Sequence, residues 1–191
     1  NNVTVSGVLT HAANSNINAS TITQSLFRLI YQVNGNLIVN TTGNIHANEK
    51  GYPSGFGPGG GATTTSGSPG GSHGGLGGYG SDAAASPVYD DLVFPYLPGS
   101  GGGNRSCCTG VGHGGGVVIL TVTGNSTLSG TIGVNGRSSS DSNSGPGAGG
   151  SILLITSGLS GSGTTTAQAG WYTSGVGRAG GGGGGRISIW C

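Results

Sequence analysis

Short aliphatic runs alternate with glycine-rich segments along most of this chain, and no other feature narrows the possible folds as far. Leu37-Ile38-Val39, Val117-Val118-Ile119-Leu120-Thr121-Val122 and Ile152-Leu153-Leu154-Ile155 each lead to a turn at Gly and a second extended stretch. Each unit is left through glycine: 55–61, 145–150 and 180–185, the last entering Arg186-Ile187-Ser188-Ile189-Trp190. Period-two, β-branched runs bounded by turn glycines predict short strands rather than helices. Around Ile22-Thr23-Gln24-Ser25-Leu26-Phe27-Arg28-Leu29-Ile30 the apolar spacing is mixed, and strand and short helix both fit.

The units repeat. Gly43-Asn44-Ile45-His46-Ala47-Asn48 matches Gly130-Thr131-Ile132-Gly133-Val134-Asn135, and Leu128-Ser129-Gly130 matches Leu159-Ser160-Gly161. On this alignment Thr166 to Gly170 stand where Val134-Asn135-Gly136 stand one unit earlier, and the third unit follows the second by 31 residues. The first two are 87 apart because residues 52–116 form an insertion of Gly, Pro, Ser and aromatic residues. A unit that cannot bury its own apolar face must stack on its neighbours. The expected fold is therefore all-β: a single parallel β-helix or β-solenoid-like domain over residues 1–191, with Ile119 and Ile155 facing its core. Ser139 falls in a polar excursion, where a charge should be tolerated. Both Val3-Thr4-Val5 and Ile187-Ser188-Ile189 read as open-edged strands. The glycine segments have two readings, as solvated flexible loops or as polyproline-II-like strands packed side by side. Collagen is excluded because no strict Gly-X-Y period exists.

Composition limits function. Of 191 residues 46 are Gly and only 6% are charged, with a formal net charge of +1. Lys and Arg are scattered, so no nucleic-acid footprint is present, and no apolar run approaches the ~18 residues of a membrane span. Five sequons, at Asn2, Asn18, Asn40, Asn104 and Asn125, mark a secreted or cell-surface glycoprotein. A start without Met is expected of a processed chain or a piece of a longer one. Of three cysteines, the neighbours Cys107 and Cys108 are too strained to bond each other. One of them is expected to pair with Cys191, closing a loop of about 83 residues worth about 4 kcal/mol.

Chemistry-bearing motifs are absent: no GxSxG, no P-loop lysine and no CxxC. The acids are Glu49, Asp82, Asp90, Asp91 and Asp141, and the adjacent Asp90-Asp91 points to opposite faces of an extended chain, as in a solvated or calcium-friendly turn. His11, His46, His73 and His113 are isolated, and nothing supplies a third metal ligand beside His73 and His113. No catalytic, cofactor or metal residues are assigned. The aromatics Tyr52, Phe56, Tyr79, Tyr89, Phe94, Tyr96, Trp171 and Tyr172 either cap the glycine layers, the favoured reading, or stack on sugars. Thr63-Thr64-Thr65 and Thr164-Thr165-Thr166 raise a flat Thr face, although regular Thr spacing is lacking.

The segments at Gly57 to Gly61, Gly70 to Gly78, Gly147 to Leu154 and Gly180 to Ile189 resemble the glycine-rich, β-helix-like repeats of large surface and extracellular proteins of protists, algae and bacteria. The resemblance spans about residues 37–190. It implies a structural or adhesive role: a building block of an extracellular fibril, appendage or surface layer, whose partners are copies of itself and attached glycans. A carbohydrate-binding module is the alternative.

Overall fold

The computed structural model describes residues 1–14, 27–106, 112–172 and 177–191. Their regular structure is entirely β, in twelve short strands. These are β1 (Val3–Val5), β2 (Val8–Thr10), β3 (Leu29–Val33), β4 (Leu37–Val39), β5 (Asn44–His46), β6 (Val117–Val122), β7 (Asn125–Leu128), β8 (Thr131–Gly133), β9 (Ser151–Ile155), β10 (Gly158–Ser160), β11 (Thr164–Thr166) and β12 (Arg186–Trp190). They pair in parallel as three four-stranded sheets, ordered β1-β4-β7-β10, β11-β8-β5-β2 and β12-β9-β6-β3. We call these A, B and C. The chain visits A, B and C in turn, four times over, so every strand pairs with the strand three elements away.

Register explains the core. In sheet C, Leu29, Val118, Ile152 and Ile187 align in one column and Tyr31, Leu120, Leu154 and Ile189 in the next. In sheet B, Leu9, Ile45, Ile132 and Thr165 align. Leu37, Val39, Ile45, Val118, Leu120, Ile132, Ile152 and Leu154 all belong to one buried cluster, against which Val3, Val5 and Leu9 pack. Burying each such side chain contributes about 1.5–3 kcal/mol, so a core one residue wide is sensitive to every position.

The parity corrects one expectation. Because side chains alternate faces, Val118, Leu120, Ile152 and Leu154 point inward, while Ile119 and Ile155 stand on the outer face of sheet C, half-buried. Both runs are apolar on both faces, since residues 89–97 lie across the outside of that sheet. Ser188 Oγ donates to Val93 O (2.7 Å), Ser151 Oγ lies 2.7 Å from Leu97 O, and the Arg186 guanidinium donates to Tyr89 O (2.9 Å). Ser139 is corrected too: it is fully buried and donates to Asp141 O at 2.7 Å.

The repeat alignment holds between its first two units, where Asn44, Ile45 and His46 pair with Thr131, Ile132 and Gly133. The second match shifts by two residues, because Leu159 pairs with Ser126 rather than Leu128. Thr131 N donates to Gly43 O and Thr164 N to Gly130 O, both at 3.0 Å, so Gly163 rather than Gly161 succeeds Gly130. Gly161 takes the place of Leu128 in the coil before, with φ +105°, open to glycine and strained for other residues. Asparagines bridge successive coils at the corners. Asn36 N donates to Asn2 Oδ1 (2.9 Å), Asn125 N to Asn36 Oδ1 (2.9 Å), Asn135 N to Asn48 Oδ1 (2.7 Å) and Gln168 N to Asn135 Oδ1 (2.8 Å). These bonds satisfy N–H groups that the corners withdraw from the ladders.

The glycine segments are packed, not solvated. Residues 99–103 exchange main-chain bonds with four other stretches: Tyr52 N and Gly55 N donate to Gly99 O and Gly102 O, and Gly102 N donates to Gly112 O. Ala148 N donates to Ser100 O and Gly103 N to Pro69 O, all within 3.0 Å. A β-strand bonds two neighbours in one plane, and this segment is bonded on more sides. Side chains are excluded for that reason. A Cβ on Gly99, Gly101, Gly102, Gly114, Gly115 or Gly147 would lie inside 3.0 Å of a neighbouring main-chain atom.

Candidate functional site

Two features of the fold are candidates for function: the pair of end faces and a sealed polar cluster under the aromatic segment. The end faces follow from topology. Strands β1, β2 and β3 form one outer edge of the three sheets and β10, β11 and β12 the other. The first set is three, three and five residues long, and so is the second. Inward columns that are sealed in the middle coils open at the β12 edge, while at the β3 edge Leu29 and Val33 stay buried. Ile152 and Leu154 are 0% and 1% exposed, whereas Ile187 and Ile189, directly below them, are 43% and 39% exposed. At the opposite edge Tyr31 is 40% exposed over buried Leu120. An unpaired strand edge with apolar residues beside it is a template for another strand.

The sealed cluster joins His73, Asp90 and Ser151, residues far apart in sequence. Asp90 is brought in by a left-handed backbone turn (φ +74°). His73 Nδ1 faces Gly149 O at 2.8 Å and Nε2 faces Asp90 Oδ2 at 3.2 Å, with both side chains fully buried. The ring thus lies between a main-chain carbonyl and the Asp90 carboxyl. Ser151 Oγ sits between Leu97 O (2.7 Å) and Asp90 Oδ2 (3.0 Å), with one proton to give, and 3.5 Å from His73 Nε2. Tyr89 packs its ring on His73 with centroids 4.8 Å apart. The solvated turn expected at Asp90-Asp91 is thus half right: Asp91 accepts from Val93 N and Phe94 N at the surface, but Asp90 is interior, bridging the aromatic segment to sheet C. No sequence signal marks this trio, because its spacing reflects the insertion's path rather than a local motif.

Burial opposes ionisation of Asp90, yet the bonds from His73 and from the N–H groups of Leu97, Asp91 and Tyr96 outweigh it and hold the carboxyl below its ordinary 3.8. A depressed carboxyl stabilises the fold above its unfolded-state pKa and loses that contribution as pH falls through the folded value. Trp190, stacked on Phe94 with centroids 5.3 Å apart, reports on the segment. In a Trp171→Phe background its fluorescence should stay constant from about pH 7 to 5 and change below about pH 4. Asp90→Asn should show the released signal already at neutral pH, with a loss of about 3 kcal/mol. An unaltered acid profile in Asp90→Asn would show that the pair does not hold the segment.

The predicted sequon residues are spread over the surface. Asn2 and Asn125 are exposed, Asn40 and Asn104 half-buried, and Asn18 lies outside the described residues. Asn2 accepts through Oδ1, so a sugar on its nitrogen leaves the corner bond in place. Asn40 Nδ2 donates to Ser6 Oγ at 2.8 Å, and Asn104 Oδ1 is buried without a partner. Cys191 is exposed, and its expected partners Cys107 and Cys108 lie outside the described residues. His73 does not meet His113: its ring is bound by Gly149 and Asp90. Among the described residues no three His, Cys, Asp or Glu side chains gather around a common point. No helix there is long and apolar enough to cross a membrane. The aromatics divide, with Tyr52 fully buried against Gly57, and Tyr79, Phe94, Tyr96, Trp171 and Tyr172 exposed.

No family model matches the chain, and neither does any curated protein or solved structure.

Proposed function

We propose that this chain is a structural glycoprotein of an extracellular fibril, appendage or surface layer. In this reading it is a three-faced parallel β-solenoid, braced by polyproline-II-like glycine strands, that assembles head to tail. One observation carries the reading: the two end faces offer strands of equal lengths in the same order, with Leu159, Ile187 and Ile189 exposed on one and Tyr31 on the other. Adding β1, β2 and β3 of one copy beneath β10, β11 and β12 of another would continue every ladder in the parallel sense already used three times within each sheet. Such a contact is heterologous and does not close on itself, so it generates a filament. The five sequons and the low charge favour an extracellular place for it, as does the resemblance to glycine-rich surface repeats. The chemistry of the end faces is association, and it requires no catalytic group.

Sedimentation velocity over a wide concentration range tests the proposal. The chain should form assemblies that lengthen with concentration. Leu159→Lys with Ile189→Lys, both at the open face and 40% and 39% exposed, should leave the fold intact and the protein monomeric. A wild-type chain that stays monomeric throughout, or a double variant that assembles equally well, would contradict it.

A further inference from the structure

Immediately after β5, β8 and β11 the chain turns outward at equivalent points of three successive coils, and these turns line a cleft of about 320 Å³ on the side of the molecule. Asn48, Asn135, Glu49, Arg137, Gln168 and Trp171 are among the residues that line it. We propose that this cleft binds a neutral saccharide of one or two units.

The indole of Trp171 is 61% exposed in a cleft whose other lining is mostly polar. A flat aromatic face beside hydrogen-bonding groups suits a pyranose, which has an apolar C–H face and an equatorial belt of hydroxyls. Arg137 Nε lies 3.7 Å from Glu49 Oε2, with the side chains 46% and 55% exposed. The pair presents planar donors and acceptors while cancelling its own charge, which favours a neutral ligand over an acidic one. Asn48 and Asn135 use their Oδ1 atoms to hold the main chain of the next coil, so their amides are fixed in orientation before any ligand arrives.

The backbone adds an independent observation. Glu49 adopts φ +59°, a left-handed conformation uncommon outside glycine, and is held there by its N–H donating to Asn135 O at 2.8 Å. A chain so rich in glycine carries a glutamate where glycine would be unstrained, and strain of this kind concentrates at binding sites. The volume is at the lower end of the ~300–1,000 Å³ range of small-molecule sites, which sets the ligand size. Because the cleft is on the side and not at an end face, a single copy binds without assembling. A filament would repeat the cleft about every 19 Å, four coils of strand spacing, and gain avidity for a polysaccharide.

The test is an array of neutral and acidic glycans, followed by titration of tryptophan fluorescence with each disaccharide retained. The chain has two tryptophans, Trp171 and Trp190, so the responding one is assignable. A neutral disaccharide should saturate in the millimolar range. Binding should vanish in Trp171→Ala, fall by about tenfold or more in Glu49→Gly, whose backbone strain is relieved, and persist in Trp190→Phe. Overturning results are an array on which no neutral glycan binds, binding restricted to acidic glycans, or binding undiminished in Trp171→Ala.

Discussion

Ile152→Asp should abolish folding, while Ile119→Asp should leave a folded protein weakened by about 1–2 kcal/mol. Ile152 is 0% exposed, stacked in register between Val118 and Ile187, inside a cluster of buried aliphatic side chains. A buried, unpaired charge costs several kcal/mol at least, a large share of the ~5–15 kcal/mol that holds a typical domain together. Ile119 is one residue beyond the inward column and faces the other way, half-buried on the outside of sheet C. Soluble yield and chemical denaturation monitored by circular dichroism separate the two. Equal loss at both positions would show that the inward and outward faces of sheet C are misassigned.

The glycines should divide as sharply. A Cβ on Gly114 would overlap the Gly99 carbonyl, and the main-chain bonds from Gly51 N to Gly114 O (2.7 Å) and from Gly114 N to Tyr52 O (2.9 Å) would have to stretch. Gly114→Ala should therefore cost about 3–5 kcal/mol, combining overpacking with weakened hydrogen bonds. Gly184 has nothing within 4 Å of the same ideal Cβ, and its φ is outside the left-handed region. Gly184→Ala should be neutral or stabilising by up to about 1 kcal/mol, because alanine narrows the unfolded ensemble. Equal tolerance at both would mean that the glycine segments are solvated loops after all.

The strand content was legible in the sequence because aliphatic runs recur between glycines, and Gly43 to Asn48 indeed lies on Gly130 to Asn135 in register. The coil length was not. Leu128-Ser129-Gly130 and Leu159-Ser160-Gly161 look alike, but Leu159 stacks on Ser126 and Gly161 on Leu128, so local similarity placed the last coil two residues off. The facing of Ile119 and Ile155 was illegible for a different reason. Their strands are apolar on both sides, and the cover on the outer side comes from residues 89–97, far away in the chain. His73, Asp90 and Ser151 meet only through that same cover. The side cleft had a readable signal: Asn48, Asn135 and Gln168 share one register position, so the residues that follow them must lie together.

The central claim is that the sheets run on from copy to copy, and diffraction from oriented assemblies tests it most directly. Continued sheets require a spacing of about 4.7–4.9 Å along the filament axis, with a longer axial period of about 19 Å from four coils per copy. Both on the same axis are the predicted result. Assemblies with the strand spacing perpendicular to the filament axis, or with an axial period unrelated to four coils, would contradict the account.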